Sequence, residues 1–442
     1  MEESSSKPRN KEFEKIPVTK VQRASKFVGA GVKIGSNYLK HYAKKLVNPD
    51  LTKEQLHEDN ARDIYKSLSE LKGSALKVAQ MLSMDKNLLP AAYQQQFAMA
   101  QYSAPPLSYP LVVRTFQKNF GKTPEQIFET FSRNASNAAS MGQVHKATLN
   151  GKQLAVKIQY PGIADSVRSD LAMVKPIALT MFKLNPVEYD EYMKEVEMRM
   201  MEETDYVLEL ERSVDISTKS AHIPNLRFAK YYPELSCSKI LTMDWMEGRP
   251  MGDVKTAELP GNKSQELGQA LWDFYAFQIH QLKAVHADPH PGNFIITPDH
   301  QLGIIDFGCV KVIPEAFYDT YFQLLDPHLL KDEERTTALF YKLRFIHEDD
   351  SPEEKKLFIE IFSKLVELLA RPFAAETFDF SDRSYFEEVY RFGEEVSALK
   401  PLRESKKVRG VRDALYINRT YFGLYNMLHE LKATVTVKNK RA

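Results

Sequence analysis

The stretch His286-Ala-Asp-Pro-His-Pro-Gly-Asn293 constrains this chain more than any other eight residues in it. Pro289 and Pro291 each push the residue before them out of the α region, so Asp288 and His290 must be extended. That removes the most obvious reading of two histidines four apart. His286 and His290 would share a face only on a helix, and the prolines forbid one. No HExxH motif and no third His or Cys at ligand spacing accompanies them. The loop is therefore not read as a transition-metal cage.

What remains is a set of hard oxygen and amide groups in a fixed order. Asp288 and Asn293 are five apart, and Asp306 follows in Asp306-Phe307-Gly308. The segment between reads as two short strands around the turn Pro298-Asp299-His300. Phosphoryl transfer of the kinase type uses an aspartate that orients the acceptor hydroxyl, an asparagine five residues on, and a DFG aspartate. The last two hold Mg²⁺ against the phosphates of ATP. DFG alone is a weak signal; with HxDxxxxN before it the signal is strong.

Such chemistry needs an upstream lysine on a strand. "HKATLNGKQLAVKIQ" reads as a hairpin about Asn150-Gly151. On its second strand Leu154, Val156 and Ile158 face one way, and Ala155, Lys157 and Gln159 the other. Lys157, in Leu-Ala-Val-Lys, has the form of the lysine that reaches the α/β-phosphates. The plainer alternative is a surface lysine on an edge strand. Before it, Asn137-Ala138-Ala139-Ser140-Met141-Gly142-Gln143-Val144 occupies the place of a glycine-rich loop. Only Gly142 and Val144 keep the G-x-G-x-x-G-x-V pattern, and side chains at 137 and 139 stiffen the loop against close approach to phosphate. Glu203, Glu209 and Glu211 are all candidates to hold Lys157 in place, and spacing does not choose among them.

Composition adds exclusions. Over 442 residues the formal net charge is +1, which gives no argument for nucleic acid. The two cysteines, Cys237 and Cys309, form neither a disulfide framework nor a CxxC site and suit a reducing compartment. No apolar run reaches bilayer length and the N-terminus lacks an apolar signal core, so a cytoplasmic protein is expected. From Ile16 to Pro49 lysines and arginines alternate with apolar residues at helical spacing and no acid intervenes. That is either a basic helix packed on the body or, less plainly, one lying on an anionic membrane at its inner face. Ile64, Leu68, Leu71, Ala75, Val78 and Leu82 form a second amphipathic seam, with Lys77 and Gln80 off it. Residues 188–215 read as acidic and helical, 237–246 as a buried strand entering a linker, and 263–285 as a helix.

Taken together, "LKVAQMLS" (76–83), "NAASMGQVHKA" (137–147), "LAVKIQYPG" (154–162), "ETDYVLE" (203–209), "HADPHPGN" (286–293) and "DFG" (306–308) resemble the UbiB-like, or aarF-domain, atypical kinases. The resemblance implies an α+β, bilobal protein-kinase-like fold with an N-terminal helical extension packed over the active site. Residues 1–20 would be a disordered N-terminus and 21–105 the extension. Residues 106–246 would form the N-lobe and 247–442 a mainly helical C-lobe. It implies a Lys157–Glu209 ion pair and a nucleotide-preference loop at Asn137–Ser140. It also implies a gating element at Lys77 and Gln80, faced by Glu203 and Asp205. Met243, on the strand entering the linker, joins the nucleotide-binding set. Asp288 is the catalytic carboxylate, and Asn293 and Asp306 are the metal ligands. Ala79 stands where the family usually has glycine, and Asn137 where alanine is common.

His286-Ala287-Asp288 lacks the arginine of H-R-D, so no cation is expected beside Asp288. The chain after Gly308 runs almost directly into an apparent helix, "VIPEAFYDTYFQLL", leaving little room for an activation segment. A conventional protein kinase is therefore not expected. The expected function is an Mg-ATP-dependent atypical kinase or ATPase supporting isoprenoid quinone biosynthesis or lipid homeostasis. Its expected partners are an adenine nucleotide (ATP or ADP) and a lipid or quinone precursor. The alternatives are a nucleotide-binding regulatory scaffold with little turnover, or a small-molecule phosphotransferase of the aminoglycoside or choline kinase type.

Overall fold

The computed structural model describes residue 58 and residues 60–66, 107–138, 141–182, 186–399 and 407–437. Lys77, Ala79, Gln80, Ala139, Ser140, the basic segment, the polar first twenty residues and the amphipathic seam beyond Ile64 lie outside them. The chain divides into two compact units. One is Met1–Val207 with Tyr231–Trp245; the other is Leu208–Lys230 with Met246–Ala442.

In the first unit, helix α1 (Tyr109–Phe120) begins with Pro110 in its first turn and ends at Gly121 in the left-handed conformation. Then come strands β1 (Thr130–Phe131), β2 (Asn137–Ala138), β3 (Gly142–Leu149) and β4 (Lys152–Gln159). The β3–β4 hairpin closes at Asn150-Gly151, both at positive φ, as an Asn-Gly turn requires. Helices α2 (Ile163–Phe182) and α3 (Pro186–Glu203) follow, and α4 (Tyr206–Ser220) belongs to the second unit from Leu208 on. Strand β5 (Leu226–Phe228) belongs to the second unit, and β6 (Ile240–Asp244) returns to the first. The sheet order is β1-β3-β4-β6, with β2 also on β3. Its inner face packs Ala147, Leu154, Val156, Ile158 and Ile240 against Val112 and Phe116 of α1, with Ile64 in the same core.

Residues 188–215 do not form one helix. The chain breaks at Thr204-Asp205, where the Asp205 carboxylate accepts the Val207 N–H (3.1 Å) and starts α4. Gln159 Nε2 donates to the Thr204 carbonyl (2.8 Å), tying the break to β4.

In the second unit, β7 (Arg249–Pro250) and helix α5 (Lys263–Phe277) precede β8 (Ala284–His286), β9 (Phe294–Ile296), β10 (Leu302–Ile304) and β11 (Val310–Val312). The helix expected to reach residue 285 instead ends in a π-turn over Gln278–Leu282 and a left-handed Lys283. Ala284–His286 then turns extended because it pairs antiparallel with Val310–Val312. The β9–β10 hairpin stands where the sequence puts it, with β5 parallel to β10 and β7 on β9. β11 intervenes before helix α6 (Glu315–Tyr321), which starts only after Pro314. The rest is mainly helical: α7 (Glu333–Lys342), α8 (Pro352–Ala370), β12 (Thr377–Asp379), α9 (Arg383–Ala398), α10 (Arg412–Glu430) and β13 (Thr434–Thr436). Among the described residues no helix is long and apolar enough to cross a membrane.

Candidate functional site

On the first unit's sheet, the register collects the upstream residues on one face. Asn137 stands opposite Val144, Val144 opposite Lys157, and Ala155 opposite Met243. Cross-strand partners point the same way, so Asn137, Val144, Lys157 and Met243 share a face with Ala155. This is not an edge: β4 lies between β3 and β6, and Lys157 is only 8% exposed. Its Nζ sits 5.2 Å from the centroid of Tyr206, a cation–π contact that helps compensate its burial. The surface-lysine alternative is thereby set aside. Gly142 is buried at the start of β3. A Cβ there would collide with the Ile158 carbonyl oxygen and lie 2.7 Å from the Tyr206 hydroxyl, so close packing demands this glycine. Glu203 ends α3 and Asp205 caps α4, one on each side of the same break.

Behind the sheet runs a directional chain of buried hydrogen bonds. Leu107 N–H donates to Gln143 Oε1 (2.5 Å), and Gln143 Nε2 meets His145 Nε2 (2.7 Å). His145 Nδ1 meets the Ser132 carbonyl (2.7 Å). A carbonyl can only accept, so Nδ1 carries the proton and Nε2 accepts from Gln143. The ring must be neutral, and burial lowers its pKa accordingly.

In the second unit the loop residues and the DFG are joined through the backbone. Antiparallel β8–β11 pairs His286 with Val310, and Ala287 N–H donates to the Cys309 carbonyl (2.9 Å). Ile305 N–H donates to the Asn293 carbonyl (3.3 Å). Asp288, Asn293 and Asp306 are thus brought together on one scaffold. Asn293 Nδ2 donates to the Asp288 carbonyl (2.9 Å) and, more weakly, to Asp288 Oδ2 (3.4 Å). That turns the amide so that Oδ1 is the atom Asn293 can offer a cation. Asp306 Oδ1 accepts the Gly308 N–H (2.7 Å), which fixes its carboxylate. Glu209, 2% exposed, lies beside this turn: its Oε2 is 3.5 Å from where a Cβ on Gly308 would sit.

The two histidines serve the loop itself. His286 is 1% exposed; its N–H donates to Gln278 Oε1 (2.9 Å), and Phe294 and Phe307 meet its ring edge-on. His290 Nδ1 accepts the Gly292 N–H (3.0 Å) and caps the Pro291–Asn293 turn. Tyr275, near His286 Nδ1 (3.4 Å), is held neutral well above its usual pKa, by burial first and then by the Asp288 charge.

One expectation is corrected. A cation does adjoin Asp288: Arg419 Nη2 of α10 lies 3.8 Å from its Oδ1. Local spacing could not show it, because the arginine arrives through tertiary packing. Tyr206 was also missed, although it lies inside the "ETDYVLE" segment.

A donor set of one amide oxygen and one carboxylate, all hard oxygens, suits Mg²⁺ completed by phosphate and water. It does not suit a thiophilic or imidazole-preferring metal.

A family model described as the ABC1 atypical kinase-like domain matches residues 99–340, more than half of the chain. The chain is 24% identical to the probable serine/threonine-protein kinase abkA of Dictyostelium discoideum, over 95% of this chain and 78% of that protein. It is also 24% identical to the atypical kinase COQ8B, mitochondrial, of Danio rerio, over 96% of this chain and 68% of that protein. With an uncharacterized aarF domain-containing protein kinase of Arabidopsis thaliana, chloroplastic, it shares 30% identity over 62% of this chain and 39% of the relative. Among solved structures, Rv3197 of Mycobacterium tuberculosis, determined with erythromycin, superposes with a TM-score of 0.58 at 24% identity. That match covers 87% of this chain and 95% of the other, and it supports the kinase-like α+β fold.

Proposed function

This chain belongs to the ABC1 atypical kinase-like family, and from that premise we propose that it binds Mg²⁺ with an adenine nucleotide and performs phosphoryl chemistry. The observation that carries the reading is the joining of Asp288, Asn293 and Asp306 through β8–β11 and the Ile305–Asn293 bond. In this reading Lys157 neutralises the α/β-phosphates from a buried strand position, and Glu209 is its counter-ion. Asn137, Ala138, Ala139, Ser140, Gly142, Val144 and Met243 form the nucleotide's surroundings. Asn293 Oδ1 and Asp306 hold Mg²⁺, which neutralises phosphate charge when bound. Asp288 orients an acceptor hydroxyl or water and takes its proton.

The biology that fits is support of isoprenoid quinone biosynthesis or lipid homeostasis, with a lipid or quinone precursor as partner. Lys77 and Gln80, with Glu203 and Asp205, would gate access to the site. The basic N-terminal segment would give peripheral contact with an anionic membrane. The domain limits proposed are 21–105 for the extension, 106–246 for the N-lobe and 247–442 for the C-lobe.

The deciding experiment is thermal stabilisation by Mg-ADP and Mg-ATP. Wild type should be stabilised and Asp306→Asn should not; equal stabilisation of both rules out the proposed metal site. Quinone and precursor profiling of cells lacking the protein tests the biological half.

A further inference from the structure

Asp288 receives contacts on both carboxylate oxygens. Asn293 Nδ2 reaches Oδ2 at 3.4 Å, and Arg419 Nη2 reaches Oδ1 at 3.8 Å. A weak donor on one oxygen and a cation beside the other favour one setting of the carboxylate. Arg419 lies on α10, in the same unit as the loop but beyond residue 340, where the family match ends.

It is not an isolated side chain reaching across. One turn later on the same helix, Gly423 packs on Pro289 so closely that a Cβ would collide with the ring. It would also lie 3.2 Å from the Pro289 carbonyl oxygen. Earlier on the helix, Lys311 of β11 pairs with Asp413 (2.5 Å) and lies 5.4 Å from the Tyr416 ring centroid. Positions 413, 416, 419 and 423 recur at helical spacing and form one face. That face runs along the strand after the DFG and along the loop holding Asp288. The adjoining side of α10 is anchored, with Ala414, Ile417, Tyr421 and Leu424 in the core.

The pair itself is loose and its side chains are 29% and 23% exposed, so its direct contribution to stability is small. Its geometry suits orientation instead. We infer that Arg419 is a positioning residue for phosphoryl transfer. It holds the Asp288 carboxylate aimed at the acceptor, and α10 adds a brace to this loop from beyond the matched residues. The inference rests on the reading of Asp288 given above.

The test is Mg-ATP turnover by the full chain, comparing wild type with Arg419→Gln, Arg419→Lys, Asp288→Asn and Gly423→Ala. Arg419→Gln should lower kcat roughly ten- to a hundredfold, the scale of losing an outer partner that orients a site residue. Its KM for Mg-ATP and its Tm should stay at the wild-type values, and Arg419→Lys should restore most of the loss. Gly423→Ala, which lifts the helix off Pro289, should lower kcat in the same direction and covers the case of a misfolded glutamine variant. Unchanged kcat in Arg419→Gln, with Asp288→Asn inactive, overturns this inference alone. So does a loss that lysine cannot rescue and that tracks a fall in Tm. Full turnover in Asp288→Asn, or none in wild type, overturns the underlying site reading and this inference with it.

Discussion

Asp350→Asn is expected to destabilise the second unit by about 3–5 kcal/mol, the scale of breaking a buried ion pair. Asp350 Oδ2 accepts from Arg409 Nη1 (2.8 Å) and from the His347 N–H (2.7 Å). Oδ1 accepts from Arg409 Nη2 (2.9 Å) and Lys407 Nζ (2.8 Å). The Asp350 and Arg409 side chains are 0% and 4% exposed, and the guanidinium lies over the Phe358 ring, 3.4 Å from its centroid. Asparagine keeps the volume but leaves the buried Arg409 guanidinium without its counter-charge. For a unit of this size each kcal/mol moves the midpoint by about 2–4 °C, so a 3 kcal/mol loss gives roughly 6–12 °C. Lys407→Met should cost much less than Asp350→Asn, since Lys407 is partly exposed and its pairing is screened by water.

Calorimetry and urea titration would measure these losses. Replacing both partners, Asp350→Leu with Arg409→Met, should recover much of the loss, because no charge is left stranded. The pH dependence has a definite sign. Burial by itself would raise the Asp350 pKa, but the Arg409, Lys407 and His347 hydrogen bonds outweigh it and hold the carboxyl well below the usual carboxylate range. The stabilisation is therefore complete above the ordinary carboxylate range and fades as pH falls through the lowered native value. A loss below about 1 kcal/mol in Asp350→Asn would refute the reasoning, since an exposed pair behaves that way. The network matters beyond stability because it pins the approach to α10. Gly410 N–H donates to the Arg344 carbonyl (2.7 Å) and Val411 N–H to that of Leu343 (2.9 Å).

Three further outcomes are expected. Gly142→Ala should destabilise the first unit by roughly 1–3 kcal/mol in chemical denaturation, because its Cβ has no room against Ile158 and Tyr206. The first unit should lose stability as pH falls below about 6.5, since His145 is held neutral and the unfolded chain binds the proton more readily. His145→Gln should flatten that dependence in a pH series of melting curves. Lys157→Met should abolish Mg-ATP turnover while leaving the unfolding free energy in urea within about 1 kcal/mol of wild type, because methionine keeps the packing of the stem.

Much of the site was legible because its elements are local. The Asn150-Gly151 turn dictates the hairpin, and the hairpin dictates which face Lys157 shares with Val144. Pro289 and Pro291 dictate an extended loop, and the DFG follows at hairpin distance. What escaped depends on contacts far apart in sequence. Ala284–His286 reads as the end of a helix until Val310–Val312 arrives to pair with it. Thr204-Asp205 reads as helical until Gln159 claims the carbonyl. Arg419 has no motif around it, and its place comes from tertiary packing of α10, including Gly423 on Pro289.

The sheet order has a consequence for synthesis. Strand β4 pairs with β3 as soon as the hairpin is made, but its other edge waits for Ile240–Asp244. Three helices and β5 are translated in between. At about 5–20 residues per second the wait is roughly 4–16 s. During that time Lys157 sits on an unprotected edge strand whose apolar neighbours could pair with another chain. The nascent protein therefore carries an unpaired β4 edge until Ile240–Asp244 has been made.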